Sequence, residues 1–68
     1  MKPGQAVNMP APDDAVRIAD FFGIHIGWSV FWDKSHGVWR VSEDDPGSDL
    51  YAENADAERV IAYVAAHS

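Results

Sequence analysis

The chain has 68 residues, no cysteine, and eleven acidic against five basic side chains, for a net charge of −6. That length allows one domain that buries only about 60% of its unfolded surface, with no disulfide, thiolate nucleophile or cysteine-based zinc site to staple it. The acidity opposes binding to a phosphate backbone, and the short apolar runs fall far below the ~20 residues of a membrane span.

Residues 1–12 contain three of the four prolines and no apolar period. Proline fixes φ and disfavours helix just before it, so the sequence predicts an extended, mobile arm there and a single domain over 13–68. The opening residues lack the apolar core of a signal peptide, which points to the cytoplasm.

A first helix is expected over 13–22. Asp13 is placed to cap it and Asp14 to complement the helix dipole. Ala15, Ile18, Ala19 and Phe22 recur at helical spacing, flanked by Val16 and Phe21, and Gly23 fits a left-handed terminator. From Ile24 the period changes to two. Ile24, Ile26, Trp28, Val30 and Trp32 alternate with His25, Gly27, Ser29, Phe31 and Asp33, which predicts a strand over 24–33 with one buried face.

Lys34-Ser35-His36-Gly37 interrupts the pattern, and a second strand follows over 38–42. Parity settles the turn. An even loop pairs positions summing to 71, so Trp32 meets Trp39 and Val30 meets Val41, all on one face. An odd loop would put Trp39 on the opposite side. Gly37 suits the positive φ that ends such a loop. The segment 43–49 is a loop around Pro46-Gly47, and 50–53 is a short third strand with Leu50 and Ala52 inward and Tyr51 outward. A second helix is expected from the cap Asn54 to about Ala66, with Ala57, Val60, Ile61 and Val64 as its apolar stripe.

The expected fold class is therefore α+β, in the order α–β–β–β–α, with both helices on one face of a three-stranded antiparallel sheet. The other face is open. It is expected to carry Phe31, Arg40, Tyr51, Val38 and His25, residue types that can form a cation–π cluster or a protein-binding hot spot. Glu43, Asp44, Asp45, Asp49 and Glu53 form an expected acidic edge.

Chemistry is sparse. His25, His36 and His67 lack metal-ligand spacing, so neither metal nor cofactor is expected. The acidic loop fails the EF-hand pattern. Ser35, His36 and Asp33 lie near each other on an exposed turn, without the oxyanion site and enclosed pocket that a nucleophilic triad requires. The element order matches that of double-stranded-RNA-binding domains, but in order alone. Where those domains carry lysines at the start of the second helix, this chain has Asn54, Asp56 and Glu58.

The sequence thus predicts a small acidic, non-catalytic protein-interaction module: a regulator, adaptor or inhibitor. Its partner would be a protein, with a basic surface and mimicry of nucleic-acid charge as one variant. The alternatives are a nucleic-acid-binding regulatory domain that uses the open face as a stacking platform, and a homodimer with two sheets packed face to face.

Overall fold

The computed structural model describes residues 9–68, so most of the expected N-terminal arm lies outside the described residues. Helix α1 spans Pro12–Ile24, β1 Trp28–Asp33, β2 Val38–Glu43, β3 Tyr51–Asn54 and α2 Ala57–Ala66. The α+β class and the α–β–β–β–α order are as expected.

Helix α1 starts earlier than the Asp13 cap suggested. Its N-cap is Ala11, extended and without a side-chain hydrogen bond, and Pro12 occupies the first turn. Proline is pre-organised for that position, where its missing N–H is not needed. Asp13 and Asp14 both fall in the first turn, at the positive end of the dipole. The inward face is Ala15, Ile18, Phe21 and Phe22, while Ala19 and Val16 point to solvent.

The end of α1 also differs. Gly23 is helical, and the helix runs on to Ile24. A mid-helix glycine costs only about 1 kcal/mol relative to alanine. Here His25 offsets it: its backbone N–H bonds to Phe21 O at 3.1 Å and its ring stacks on Phe21 at 3.9 Å between centroids. Helix α2 ends in the same way. The His67 ring sits 4.1 Å from that of Tyr63, and its Nδ1 lies 2.7 Å from Tyr63 O. The left-handed glycine is Gly27, with φ of 96°. It turns the chain into β1, which begins at Trp28 rather than Ile24. Ile24 and Ile26 are consequently not core residues but are 78% and 87% exposed.

The sheet order is β1-β2-β3, with both neighbouring pairs antiparallel. The parity reading of the first hairpin holds: Trp32 pairs with Trp39, Val30 with Val41 and Phe31 with Arg40. The loop is the four residues Lys34–Gly37. Gly37 has φ of 65°, and its N–H reaches Asp33 O at 2.7 Å. Between β2 and β3, Arg40 pairs with Glu53, Val41 with Ala52 and Ser42 with Tyr51.

Strand β3 lies one residue later than expected, and α2 starts two residues later. Asn54 is the last strand residue, and its Oδ1 accepts from Asp56 N at 2.8 Å. The cap proper is Asp56, whose Oδ1 accepts from Glu58 N at 3.0 Å. The core is Ile18 from α1, Trp39 and Val41 from β2, and Ala57, Val60 and Val64 from α2. Each of the fully buried valines, Val41, Val60 and Val64, contributes about 1.5 kcal/mol from the area it removes from water. Both helices thus serve one side of the sheet. Trp28, Val30 and Trp32 of β1 share that side but are only half-buried.

A candidate interaction face on the open side of the sheet

Alternation along each strand sends Ser29, Phe31 and Asp33 of β1, Val38, Arg40 and Ser42 of β2, and Tyr51 and Glu53 of β3 to the side opposite the helices. Four of the five residues expected on this face are there. Phe31 is 57% exposed and Tyr51 48%. Val38 is half-buried beside the hairpin turn.

His25 is the exception. It belongs to the end of α1, where it is stacked on Phe21, because the helix continues through Gly23 and the strand begins three residues beyond it.

Arg40 is the centre of the face. Its Nε donates to Asp33 Oδ2 at 2.7 Å, and its Nη1 donates to both the Tyr51 hydroxyl and Glu53 Oε1. Tyr51 in turn donates its hydroxyl to Glu53 at 2.8 Å. The expected cation–π cluster is thus realised as an ion-pair network, since carboxylates flank the guanidinium in the register itself. Asp33 also accepts from the Ser35 backbone N–H at 3.0 Å, and its Oδ2 lies 2.9 Å from His36 Nδ1. The Arg40 guanidinium holds the Asp33 carboxyl down to about 2, with His36 and the Ser35 amide adding and partial desolvation opposing. Arg40 is raised above its ordinary value, first by Asp33 and then by Tyr51. These two side chains are only 18% and 22% exposed, so both are fixed on a face that is otherwise open.

Two members of this network were not singled out from the sequence. Asp33 shares the parity of Phe31 and sits diagonally across from Arg40, which is the signal that would have found it. Tyr63 of α2 reaches round the sheet edge so that its hydroxyl accepts from Tyr51 N at 3.2 Å. No sequence pattern announces that contact.

Several of the acidic residues have local partners. Glu53 belongs to the Arg40 network. Asp44 accepts from Ser29 Oγ at 2.5 Å and donates its N–H to Gly27 O at 2.8 Å, tying the loop to the start of β1. Asp45 accepts from Gly47 N at 3.0 Å and so shapes the Pro46-Gly47 turn. Glu43 ends β2, its N–H directed to Leu50 O at 3.3 Å, and Asp49 is exposed in the loop. Loop construction accounts for Asp44 and Asp45.

Among the described residues there is no enclosed cavity and no group of three or more His, Asp or Glu placed to hold a metal. At the hairpin tip Asp33 engages His36, but Ser35 joins them through its backbone N–H. None of the described helices is long and apolar enough to cross a membrane. Comparisons with protein-family models, curated proteins and solved structures return no match to this chain. The face is therefore interpreted from its own chemistry.

Proposed function

We propose that this chain is a small non-catalytic interaction module that binds another protein through the face formed by Phe31, Val38, Arg40 and Tyr51. What carries the proposal is the setting of the two exposed aromatics, Phe31 and Tyr51, on either side of an arginine held by Asp33, Tyr51 and Glu53. Aromatic and arginine side chains are enriched in binding hot spots. Side chains fixed before binding save the ordering cost of about 0.5–1.5 kcal/mol each that mobile ones incur.

The charge of the face describes the partner. One guanidinium stands against two carboxylates, and the whole chain carries −6. A partner surface that is apolar at its centre and basic at its rim complements this. A nucleic acid does not, because Arg40 is already paired and the counterion-release term needs free Lys and Arg. The role that follows is that of a regulator, adaptor or inhibitor acting by occupancy.

The test compares the wild-type chain with Phe31→Ala and Tyr51→Ala as bait in the native host, with quantitative mass spectrometry. Expected is one partner depleted at least tenfold by each substitution, while thermal unfolding of Phe31→Ala, which removes no side-chain bond, stays within about 0.5 kcal/mol of wild type. Equal capture by all three baits would overturn the proposal, and so would specific, salt-sensitive binding of oligonucleotides by the wild-type chain.

A further inference from the structure

We infer that the protein partner of the open face presents an arginine, whose guanidinium pairs with Asp44 while its stem lies against Phe31. This deepens the reading of that face as a protein-binding surface and rests on it.

The strand register orders the face in rows. Phe31, Arg40 and Glu53 make one row, and Ser29, Ser42 and Tyr51 the next. A third row follows, because the Asp44 N–H donates to Gly27 O at 2.8 Å and so carries the pairing of β1 with β2 one residue beyond Trp28 and Glu43. Asp44 shares the parity of Arg40 and Ser42, and its Oδ1 accepts from Ser29 Oγ at 2.5 Å. Its carboxylate is thus drawn in over the serine row, and the residue stays exposed.

The serine row is the low part of the face. Ser29 and Ser42 are small and stand opposite each other, with Tyr51 beyond Ser42. The exposed Phe31 ring rises on one side of this step and the Asp44 carboxylate on the other. Successive rows lie about 6.6–6.8 Å apart, so ring and carboxylate fall within the span of one long side chain.

Charge decides which side chain fits. The three strands carry one base, Arg40, and Asp33 and Glu53 already match it. Asp44 makes no ion pair with any base among the described residues. Loop construction fixes its position and leaves its charge unmatched. A partner seated on Phe31 and Tyr51 removes water from Asp44, and a buried carboxylate without a counter-charge is costly. The partner must therefore supply a cation at this point. Arginine suits it better than lysine, because a planar guanidinium stacks on an aromatic ring and pairs a carboxylate through two N–H groups.

NMR titration of the full-length chain with an arginine hexapeptide tests this. Amide shifts should concentrate at Ser29, Phe31, Ser42 and Asp44. A lysine hexapeptide of equal charge should bind at least about threefold more weakly. Asp44→Asn keeps an acceptor for Ser29 Oγ and should weaken the arginine peptide about fivefold, the upper range for an exposed ion pair. Asp20→Asn removes an equal charge from the exposed side of α1 and should change binding less than about twofold. Equal binding of the two peptides, or equal losses from the two substitutions, would overturn the inference, since net charge alone would then account for the attraction. An arginine peptide that does not bind, or that shifts other amides, would overturn it as well. Asp44→Asn used as bait in the native host separates the arginine from the face beneath it. Undiminished capture by Asp44→Asn, with capture lost in Phe31→Ala, would remove the arginine and leave the face. Undiminished capture by Phe31→Ala would remove both.

Discussion

Trp39 offers a substitution whose outcome hinges on a single atom. The side chain is buried at 6% exposure, and its Nε1–H finds no acceptor among the described residues. Replacing Trp39 with Phe removes that N–H together with two ring carbons. The lost transfer of two carbons is worth about 1.6 kcal/mol. A residual cavity of roughly 40 Å³ at about 24 cal/mol per Å³ adds about 1 kcal/mol. Against this, a buried donor without a partner carries a desolvation penalty of about 1–3 kcal/mol, which the substitution relieves. The edge-to-face contact with Trp32, at 5.1 Å between centroids, can persist with a phenyl ring. The two sides largely cancel, so Trp39→Phe should lie within about 1.6 kcal/mol of wild type. Trp39→Ala has no such offset and should lose about 3–5 kcal/mol. That is most of the roughly 3–10 kcal/mol available to a chain of this length. Urea unfolding followed by far-UV circular dichroism measures both, provided the slope m stays constant. A loss above about 2 kcal/mol for Trp39→Phe would refute the reasoning, because it would mean that the indole nitrogen has an acceptor and contributes a hydrogen bond.

Asp33 gives the folded state a pH-dependent contribution on the acid side. Its carboxyl titrates at about 2 against an ordinary 3.8, so its contribution is complete above about pH 4 and is lost as pH falls toward 2. Asp33→Asn should flatten the urea midpoint over that window, and parallel wild-type and variant profiles would count against the network. Gly37, at φ of 65°, should lose about 1 kcal/mol on substitution by Ala and less by Asn, read from the same unfolding curves. The Asp56 cap should be worth about 1 kcal/mol, so Asp56→Ala should destabilise by that amount while Asn54→Ala, outside the helix, destabilises less.

The parts of the fold that were legible depend on parity, and the parts that were not depend on where one period gives way to another. The hairpin register followed from Trp32 and Trp39 needing the same face, because a one-residue slip would have exposed one of them. The boundary between α1 and β1 was obscured because Ile24 and Ile26 continue the alternation of Trp28 backwards into residues that are not strand. Nothing local distinguishes a glycine that ends a helix from one inside it. In the structure the helix end is accompanied by the contact of His25 with Phe21, a spacing of four that recurs in Tyr63 and His67. Asn54 and Asp56 are both capping residues, and choosing between them required knowing that Asn54 still pairs with Trp39. On the open face, Phe31, Val38, Arg40 and Tyr51 were legible from the same parity rule. The partners of Arg40 were less so: Asp33 and Glu53 look like surface charges until the strand register sets them beside it.

The two sides of the sheet are not independent. Arg40 lies between Trp39 and Val41, so the strand that presents the guanidinium outward sends two buried side chains inward. Its neighbours in the network are coupled likewise: Asp33 follows Trp32, and Glu53 follows Ala52, both packed against the core. The position of the face is therefore set by packing beneath it, and loosening the core should blur the Arg40 network before the chain unfolds. Phe31 and Tyr51 differ in this respect. Tyr51 is held at both ends, by Tyr63 at its backbone and by Arg40 and Glu53 at its hydroxyl, whereas the Phe31 ring is free of such ties. Truncating Phe31 removes contact area alone. Truncating Tyr51 also frees a guanidinium and a carboxylate, so in binding it should be the more damaging of the two.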